Sequence, residues 1–204
     1  MGWLYENRRV QSEKNGRIHC LRLFGRWQVF VNGFDQSGTR YLSNMWRRAL
    51  KRLPAGFQAG RILIFGLGIG DTLDLLHDRF PSCRITAVEW DPVMIDLMTE
   101  FRPKPDPNRP EIVNMDMNEA LSIVSGNFDL IILDAFTGQA VGSPATRDDF
   151  FRRLRGRLSP SGHFLANVFA QPELLGLIDR FFARMSSWRF RYNTLALYAS
   201  RRFF

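Results

Sequence analysis

Short, continuous apolar runs alternate with segments of helical periodicity along most of this 204-residue chain. A continuous apolar run is typical of a parallel strand that is covered on both faces. Between the runs, apolar residues recur three and four positions apart, as they do in amphipathic helices. We therefore predict an α/β fold with a doubly wound, mostly parallel sheet. The predicted strands are 62–65, 84–89, 111–114, 128–134 and 162–169, and the predicted helices are 42–53, 71–80, 92–101, 119–124, 148–158 and 172–185.

Both ends of the chain add antiparallel strands to this pattern. Residues 17–24 and 26–32 are predicted to form two strands joined by a glycine turn. Residues 188–200 can supply another pair of strands. We expect a small N-terminal β-hairpin region at 1–40 and a Rossmann-like domain at 41–204. Because the edges of such a hairpin are available for pairing, a homodimer is an expected assembly.

Composition indicates a protein with a full core and no membrane span. Hydrophobic residues make up 45% of the chain, and no apolar run approaches the roughly 20 residues that cross a bilayer. The N terminus has no apolar signal core, so we expect a cytoplasmic protein. Cys20 and Cys83 lie far apart in strand-like runs. We expect both to be core residues, with no disulfide and no metal site.

The charge of the chain is strongly basic. The formal net charge is +8, and lysine occurs only at positions 14, 51 and 104, so arginine dominates. Such a surface can attract nucleic acid or another anion. The arginines are scattered over many segments, however, and 152–157 is the only dense cluster in the sequence. A solvated surface is therefore favoured over a nucleic-acid site.

Three glycines at alternate positions, Gly66, Gly68 and Gly70, separate the first predicted strand of the parallel sheet from a predicted helix. Glycine lets the backbone approach a ligand where a Cβ atom would collide. Such a turn, at the carboxyl end of a parallel strand, predicts a nucleotide-type site. A dinucleotide fingerprint would have glycine or alanine where this chain has Asp71, and no Gly-Lys-Ser/Thr of a P-loop is present. The remaining pattern, Gly-x-Gly-x-Gly, is that of enzymes that use S-adenosylmethionine (SAM).

Acidic residues at the ends of the next two strands fit an adenosyl ligand. Both carboxylate oxygens of Glu89 can accept from the adjacent hydroxyls of a ribose, and a charged hydrogen bond of this kind is worth roughly 1.5–3 kcal/mol. Asp116 follows the third strand, where it can accept from the adenine amino group, and Met117 next to it is included in the predicted cofactor site. Either acid could instead cap a helix, because strand-end loops commonly lead into helices.

From about residue 23 to residue 199 the chain resembles the spermidine synthase (polyamine aminopropyltransferase) family, which has the class I SAM-dependent methyltransferase fold. The glycine loop is common to many methyltransferases, whereas the Gln-Ser and Tyr pattern ahead of it is more specific. The segments after Asp134 look like the family's shorter, less characterised relatives. The motifs that carry the resemblance are Val31-Asn-Gly33, Gln36-Ser37, Tyr41, Met45, Phe65-Gly-Leu-Gly-Ile-Gly70, Val88-Glu-Trp-Asp91, Met115-Asp116 and Asp129-Leu-Ile-Ile-Leu-Asp134.

The resemblance implies roles for individual residues. Gln36 would bind the cofactor, and Tyr41 would line the ligand cavity as a catalytic residue. Glu89 would bind ribose and Asp116 adenine. Asp134 matches the acid that takes a proton from the attacking amine, although it could instead cap a helix. The implied co-substrate is SAM or decarboxylated SAM, and the implied acceptor is a small-molecule amine.

Two positions depart from the family's pattern. The family has an acid inside the glycine loop where this chain has Ile69, and a second acid three residues after Asp134 where it has Thr137. By resemblance, those acids hold the ammonium groups of decarboxylated SAM and of the polyamine. A buried ammonium without its partner costs roughly 3–5 kcal/mol, so both anchors for polyamine transfer are missing.

Three hypotheses follow from the sequence. The first is a spermidine synthase-like transferase that moves an alkyl, aminopropyl-like group to an altered amine acceptor. The second is a SAM-dependent methyltransferase, because intact SAM brings a carboxylate of its own and does not need the loop acid. The third is a non-catalytic protein that binds an adenosyl ligand, or that uses its arginine-rich surface to bind an acidic partner.

Overall fold

A computed structural model describes residues 5–102, 109–137, 140–141, 147–169, 171 and 173–200. The helices are α1 (Arg40–Leu50), α2 (Asp71–Arg79), α3 (Pro92–Phe101), α4 (Met117–Ile123), α5 (Asp148–Arg155) and α6 (Glu173–Asp179). The strands are β1 (Tyr5–Ser12), β2 (Gly16–Leu23), β3 (Arg26–Val31), β4 (Phe34–Ser37), β5 (Arg61–Phe65), β6 (Arg84–Glu89), β7 (Glu111–Asn114), β8 (Phe128–Leu133), β9 (Phe136–Thr137), β10 (Ala140–Val141), β11 (Leu158–Phe169), β12 (Phe182–Phe190) and β13 (Asn193–Ser200).

The predicted doubly wound sheet is confirmed. Seven strands lie in the order β12-β13-β11-β8-β5-β6-β7. Pairing within β11, β8, β5, β6 and β7 is parallel, and β13 is antiparallel to both of its neighbours. The strand order reverses between β5 and β8, which leaves a crevice at their carboxyl ends. That crevice is where the glycine loop and Asp134 meet.

The central strands are covered on both faces, as their continuous apolar runs predict. Alternate residues of β5 point to opposite faces, so Ile62 and Ile64 join one core cluster while Leu63 and Phe65 join the other. All four side chains are fully buried. This two-sided burial holds the end of β5, and with it the start of the glycine loop, in a fixed position.

The N-terminal region is a four-stranded antiparallel sheet in the order β1-β2-β3-β4. The predicted hairpin corresponds to its middle pair, and the outer strands are not among the predicted ones. β1 is largely exposed and polar, and β4 is only four residues long, so neither has the apolar alternation that indicates a strand. Cys20, Val29 and Val31 of this sheet pack against Met94 and Leu97 of α3.

The two cysteines are buried as predicted, whereas one predicted helix is partly wrong. Cys20 and Cys83 are buried free thiols, as predicted. The prediction of a helix over 172–185 is wrong beyond Asp179, because Phe182 begins a strand that pairs along β13. Met185 continues the helical spacing but lies exposed on that strand. Within the described part of the chain, every helix is too short or too polar to cross a membrane.

Candidate functional site

Two adjoining cavities lie at the carboxyl ends of the central strands. The first is lined by the glycine loop and by the residues that follow β6, β7 and β8. The second is lined by β4, α1, the end of β11 and the turn between β12 and β13. Gln36, Leu42 and Asp134 line both cavities. The two cavities therefore meet at these three residues.

Most of the residues predicted for the site come together around these cavities. Tyr41 lines the second cavity, and Gly70 is not among the described residues lining either one. The predicted residues that line the first cavity are Gln36, Gly66, Gly68, Glu89, Asp116, Met117 and Asp134.

The glycine loop is shaped by close contacts with the protein itself. Gly66 and Gly68 have positive φ angles of 88° and 56°, which favour glycine. A Cβ atom on Gly66 would lie 2.2 Å from the carbonyl oxygen of Asp134, and one on Gly68 would lie 2.7 Å from the Ser37 hydroxyl oxygen. These glycines therefore allow the loop to sit against β4 and the end of β8, in addition to leaving room for a ligand.

Ser37 and Asp71 fasten the loop to the N-terminal sheet. The Ser37 hydroxyl accepts a hydrogen bond from the Ile69 amide at 2.9 Å and donates one to the Asp71 carboxylate at 2.9 Å. The Gly38 amide also donates to Asp71. Burial raises the pKa of Asp71, and these donors act in the opposite direction. Neither role was visible in the sequence, because the partners are more than 30 residues apart.

Ile69 belongs to an apolar cluster beside the first cavity, because Val31 and Met94 of this cluster line that cavity. It is 7% exposed and packs with Val31, Met94 and Leu97 between the N-terminal sheet and α3. It does not line either cavity as far as the structure describes them. The side chain of Thr137, the other departing position, lies outside the described residues.

Glu89 is a buried carboxylate held by two backbone amides. Its Oε2 atom accepts from the Leu67 amide and its Oε1 atom from the Asp91 amide, each at 3.0 Å. Burial raises the pKa of Glu89, and the amide donors lower it. Each oxygen keeps a second lone pair for a ligand. The arrangement therefore presents a fixed, paired acceptor to the first cavity.

The two acids near Glu89 also cap helices. Asp116 accepts from the Asn118 amide at 2.8 Å and begins α4. It also lines the first cavity, so helix capping and ligand contact are compatible at this residue. Asp91 caps α3 and accepts from Ser12 and Asn15, each at 2.6 Å. These bonds bring the turn between β1 and β2 to the edge of the first cavity.

Asp134 lies at the junction of the two cavities, and each of its carboxylate oxygens accepts a hydrogen bond. The Trp46 indole donates to Oδ2 at 2.9 Å, and the Asn167 amide donates to Oδ1 at 2.7 Å. Burial raises the pKa of Asp134 to about 7, although both donors favour the charged form. A general base is most effective when its pKa lies near the working pH. Asp134 meets this condition at neutral pH.

A chain of hydrogen bonds continues from Asp134 along the second cavity. The side-chain amide of Asn193 donates to the side-chain oxygen of Asn167 at 3.0 Å. The Tyr41 hydroxyl lies within bonding distance of the Asn193 side-chain oxygen and of the Phe190 carbonyl oxygen. Since this hydroxyl has one proton, it donates to one of them at a time. Tyr41 thereby links α1 to the β12–β13 hairpin.

Sequence reasoning missed Trp46, Asn167 and Asn193 as functional residues. Asn167 is buried in the apolar second half of β11, and Asn193 is buried at the first position of β13. A buried amide is costly unless it is hydrogen-bonded. A polar residue inside an apolar run was therefore the signal that could have identified Asn167.

The second cavity also contains an acid that was not predicted. Asp35 accepts from the Thr39 hydroxyl at 2.7 Å through Oδ2, and its Oδ1 atom is buried without a partner among the described residues. Burial raises the pKa of Asp35. Together with Asp134, Asp35 gives this cavity two carboxyl groups among its described lining residues. No Lys, Arg or His is among its described lining residues.

The strand order, the glycine loop and the held carboxylates together define a protein of the class I methyltransferase fold. In agreement with this, residues 62–162 match the family described as methyltransferase domain.

Two relatives and one solved structure show which transferases this chain is similar to. It is 32% identical over 107 residues to a polyamine aminopropyltransferase of Chromobacterium violaceum, covering 52% of this chain and 41% of that protein. It is 27% identical over 138 residues to the human eEF1A lysine and N-terminal methyltransferase, covering 62% and 20%. A spermidine synthase in complex with the transition-state analogue AdoDATO has the same fold, with a TM-score of 0.73 at 19% identity, covering 96% and 73%.

These comparisons confirm the predicted resemblance to spermidine synthase-like proteins. The named relatives are transferases, as the sequence predicts. The alignments cover 41% of the aminopropyltransferase and 20% of the eEF1A methyltransferase. The chain thus corresponds to less than half of either curated relative.

Proposed function

We propose that the protein binds a SAM-type ligand in the first cavity and transfers an alkyl group from it to an amine in the second. The observation that supports this best is the position of Asp134, whose carboxyl borders both cavities. Glu89 would bind the ribose hydroxyls and Asp116 the adenine amino group. Gln36, which also borders both cavities, would contact the ligand near the transferred group.

The proposed reaction is a displacement at carbon. The amine nitrogen attacks the carbon next to the sulfonium, a nitrogen–carbon bond forms, and the carbon–sulfur bond breaks. Its electron pair stays on sulfur, which becomes a neutral thioether. Asp134 accepts the proton that the nitrogen loses. Most of the remaining acceleration would come from alignment of the two reactants across the junction.

The transferred group has two candidates. An aminopropyl-like group is supported by the similarity to polyamine aminopropyltransferases. A methyl group is supported by the packing of Ile69, which leaves this position of the loop without a carboxylate for the donor's ammonium group. In intact SAM that ammonium group is accompanied by a carboxylate.

Titration calorimetry with SAM, decarboxylated SAM and methylthioadenosine separates these candidates. Tighter binding of decarboxylated SAM would support aminopropyl transfer, and tighter binding of SAM would support methyl transfer. Glu89→Ala should weaken binding of all three by at least about tenfold, because a charged hydrogen bond worth roughly 1.5–3 kcal/mol is lost. If none of the three binds the unaltered protein, the adenosyl site itself is refuted.

A further inference from the structure

One exposed face of the protein carries many cations and no acidic partners. α1 contains no Asp or Glu, and its solvent side is basic from end to end. The β12–β13 hairpin lies beside it and adds Arg191. We define the basic strip as the six exposed side chains of Arg40, Arg47, Arg48, Lys51, Arg52 and Arg191.

Contacts between α1 and the hairpin make the strip continuous. The Arg52 guanidinium lies 4.5 Å from the Trp188 ring, and that of Arg48 lies 5.1 Å from the Phe190 ring. The Arg191 guanidinium lies 5.6 Å from the ring of Tyr41, which lines the second cavity. The strip therefore begins at the mouth of the second cavity and extends along α1.

The cations of the strip have no carboxylate partner among the described residues. Six arginines outside it form ion pairs with Asp or Glu. Across the described ranges, none of the strip's six side chains does so, and the same is true of some exposed arginines elsewhere, such as Arg26 and Arg84. Favourable interaction with the carboxyl end of a helix and coverage of aromatic rings account for Arg48 and Arg52. They do not account for Arg40, which stands at the start of α1, where the helix dipole disfavours a cation.

The charge reverses at the mouth of the second cavity. Inside, the charged groups of the described lining are the carboxyls of Asp35 and Asp134. Tyr192, which is 71% exposed, stands at the boundary between the acidic interior and the basic strip. A complementary molecule would have a cationic end with anionic groups beside it.

We propose that the acceptor is an amine of an acidic polypeptide, with its lysine or N-terminal amine in the second cavity and its carboxylates on the basic strip. This inference rests on the proposed function for the role of the cavity. A free polyamine has only positive charges, and the strip would repel it. A nucleic acid has the anions for the strip, but its amino groups are uncharged and would gain nothing from an acidic cavity.

Fluorescence anisotropy with short labelled probes tests this proposal. One peptide has a single lysine followed by six glutamates, a second has glutamine in place of glutamate, and the third probe is a thymidine oligonucleotide. We expect the acidic peptide to bind more tightly than the glutamine peptide, with an affinity that falls as salt is raised. The oligonucleotide is expected to bind less tightly than the acidic peptide, because it has anions for the strip but no cation for the acidic cavity.

Charge reversal locates the binding surface. Arg47→Glu combined with Lys51→Glu should weaken binding of the acidic peptide by at least about tenfold. Arg26→Glu combined with Arg84→Glu makes the same change of charge on exposed arginines outside the strip, and should leave binding within about twofold. Thermal unfolding of both double variants establishes that each is folded. Arg40→Glu combined with Arg191→Glu is a second variant of the basic strip.

The outcomes separate this inference from the proposed function. Equal binding of the two peptides, or equal loss in strip and control variants, would overturn the polypeptide proposal even if SAM binds. Strip-dependent binding of the oligonucleotide alone would replace the polypeptide by nucleic acid. Failure of the calorimetry with adenosyl ligands would instead refute the transfer reaction, whatever the peptides do.

Discussion

The two cavities are built in different ways. In the first, the carboxylate of Glu89 is held by backbone amides of the glycine loop and of its own strand end. In the second, Asp134 is held by side chains of α1 and β11, and the network extends to β13. Backbone donors persist under most substitutions, whereas side-chain donors are lost with a single change.

This difference suggests where specificity resides. A cavity whose carboxylate is held by backbone amides can keep one ligand while the side chains around it change, which suits a shared adenosyl group. A cavity framed by side chains from distant elements can be altered one residue at a time, which suits a variable acceptor. In the proposed reaction, the absence of an acid at Ile69 would affect binding of the alkyl donor, and Asp35 and the basic strip would affect binding of the acceptor.

Removing the proposed base is the sharpest test of the comparison. Asp134→Asn should lower turnover by about 10²–10⁴-fold, the usual contribution of general acid–base catalysis. Adenosyl ligands should still bind, because Glu89 and the glycine loop are unchanged. Steady-state kinetics together with calorimetry measure the two effects. Retained turnover would remove Asp134 from the mechanism, and lost binding would show that the cavities are not separable.

The Asp134→Asn variant also tests how the stability of the protein depends on pH. The folded-state pKa of Asp134 is about 7, and an unfolded aspartate titrates near 3.9. The folded protein therefore binds more protons between these values, and its stability should fall as pH rises from about 4 to 7. Asp134→Asn should flatten this slope in urea unfolding.

In the unaltered enzyme, kcat/KM should rise with pH through about 7, as the base loses its proton.

Restoring the family's loop acid should damage the protein rather than convert it. Ile69→Asp places a carboxyl in the apolar contact between the N-terminal sheet and α3, which should cost about 3 kcal/mol or more in the free energy of unfolding. The conservative control Ile69→Val should cost about 1 kcal/mol. Urea unfolding measures both. A stable Ile69→Asp variant with increased affinity for decarboxylated SAM would contradict this account of the loop.

The parts of the molecule that could be predicted are those with local patterns. The glycines, Glu89 and Asp116 stand at strand ends that continuous apolar runs reveal, and parallel topology brings those ends together. The outer strands of the N-terminal sheet could not be found in this way, because β1 is polar and β4 is short. The C-terminal part of the predicted helix at 172–185 failed because pairing with β13 outweighs its helical spacing.

The second cavity depends on contacts that local patterns do not encode. Trp46 and Asn167 reach Asp134 from 88 and 33 residues away. Their roles follow from which side chains the sheet and α1 bring together, and sequence spacing has no information on that. The basic strip likewise joins the cations of residues 40–52 to Arg191 of the β12–β13 hairpin, which is distant in the sequence.

The smallest expected effect tests one of these long-range contacts. Trp46→Phe removes the indole donor from the Asp134 carboxylate while keeping an aromatic side chain in the core. Loss of a hydrogen bond to the charged form raises a carboxyl pKa, so the rising limb of kcat/KM should move to higher pH by about one unit or less. Trp27→Phe, in the N-terminal sheet and in neither described cavity lining, is the matched control and should leave the profile in place. If the rising limb of kcat/KM does not move, or moves to lower pH, the indole has no part in setting the pKa of Asp134.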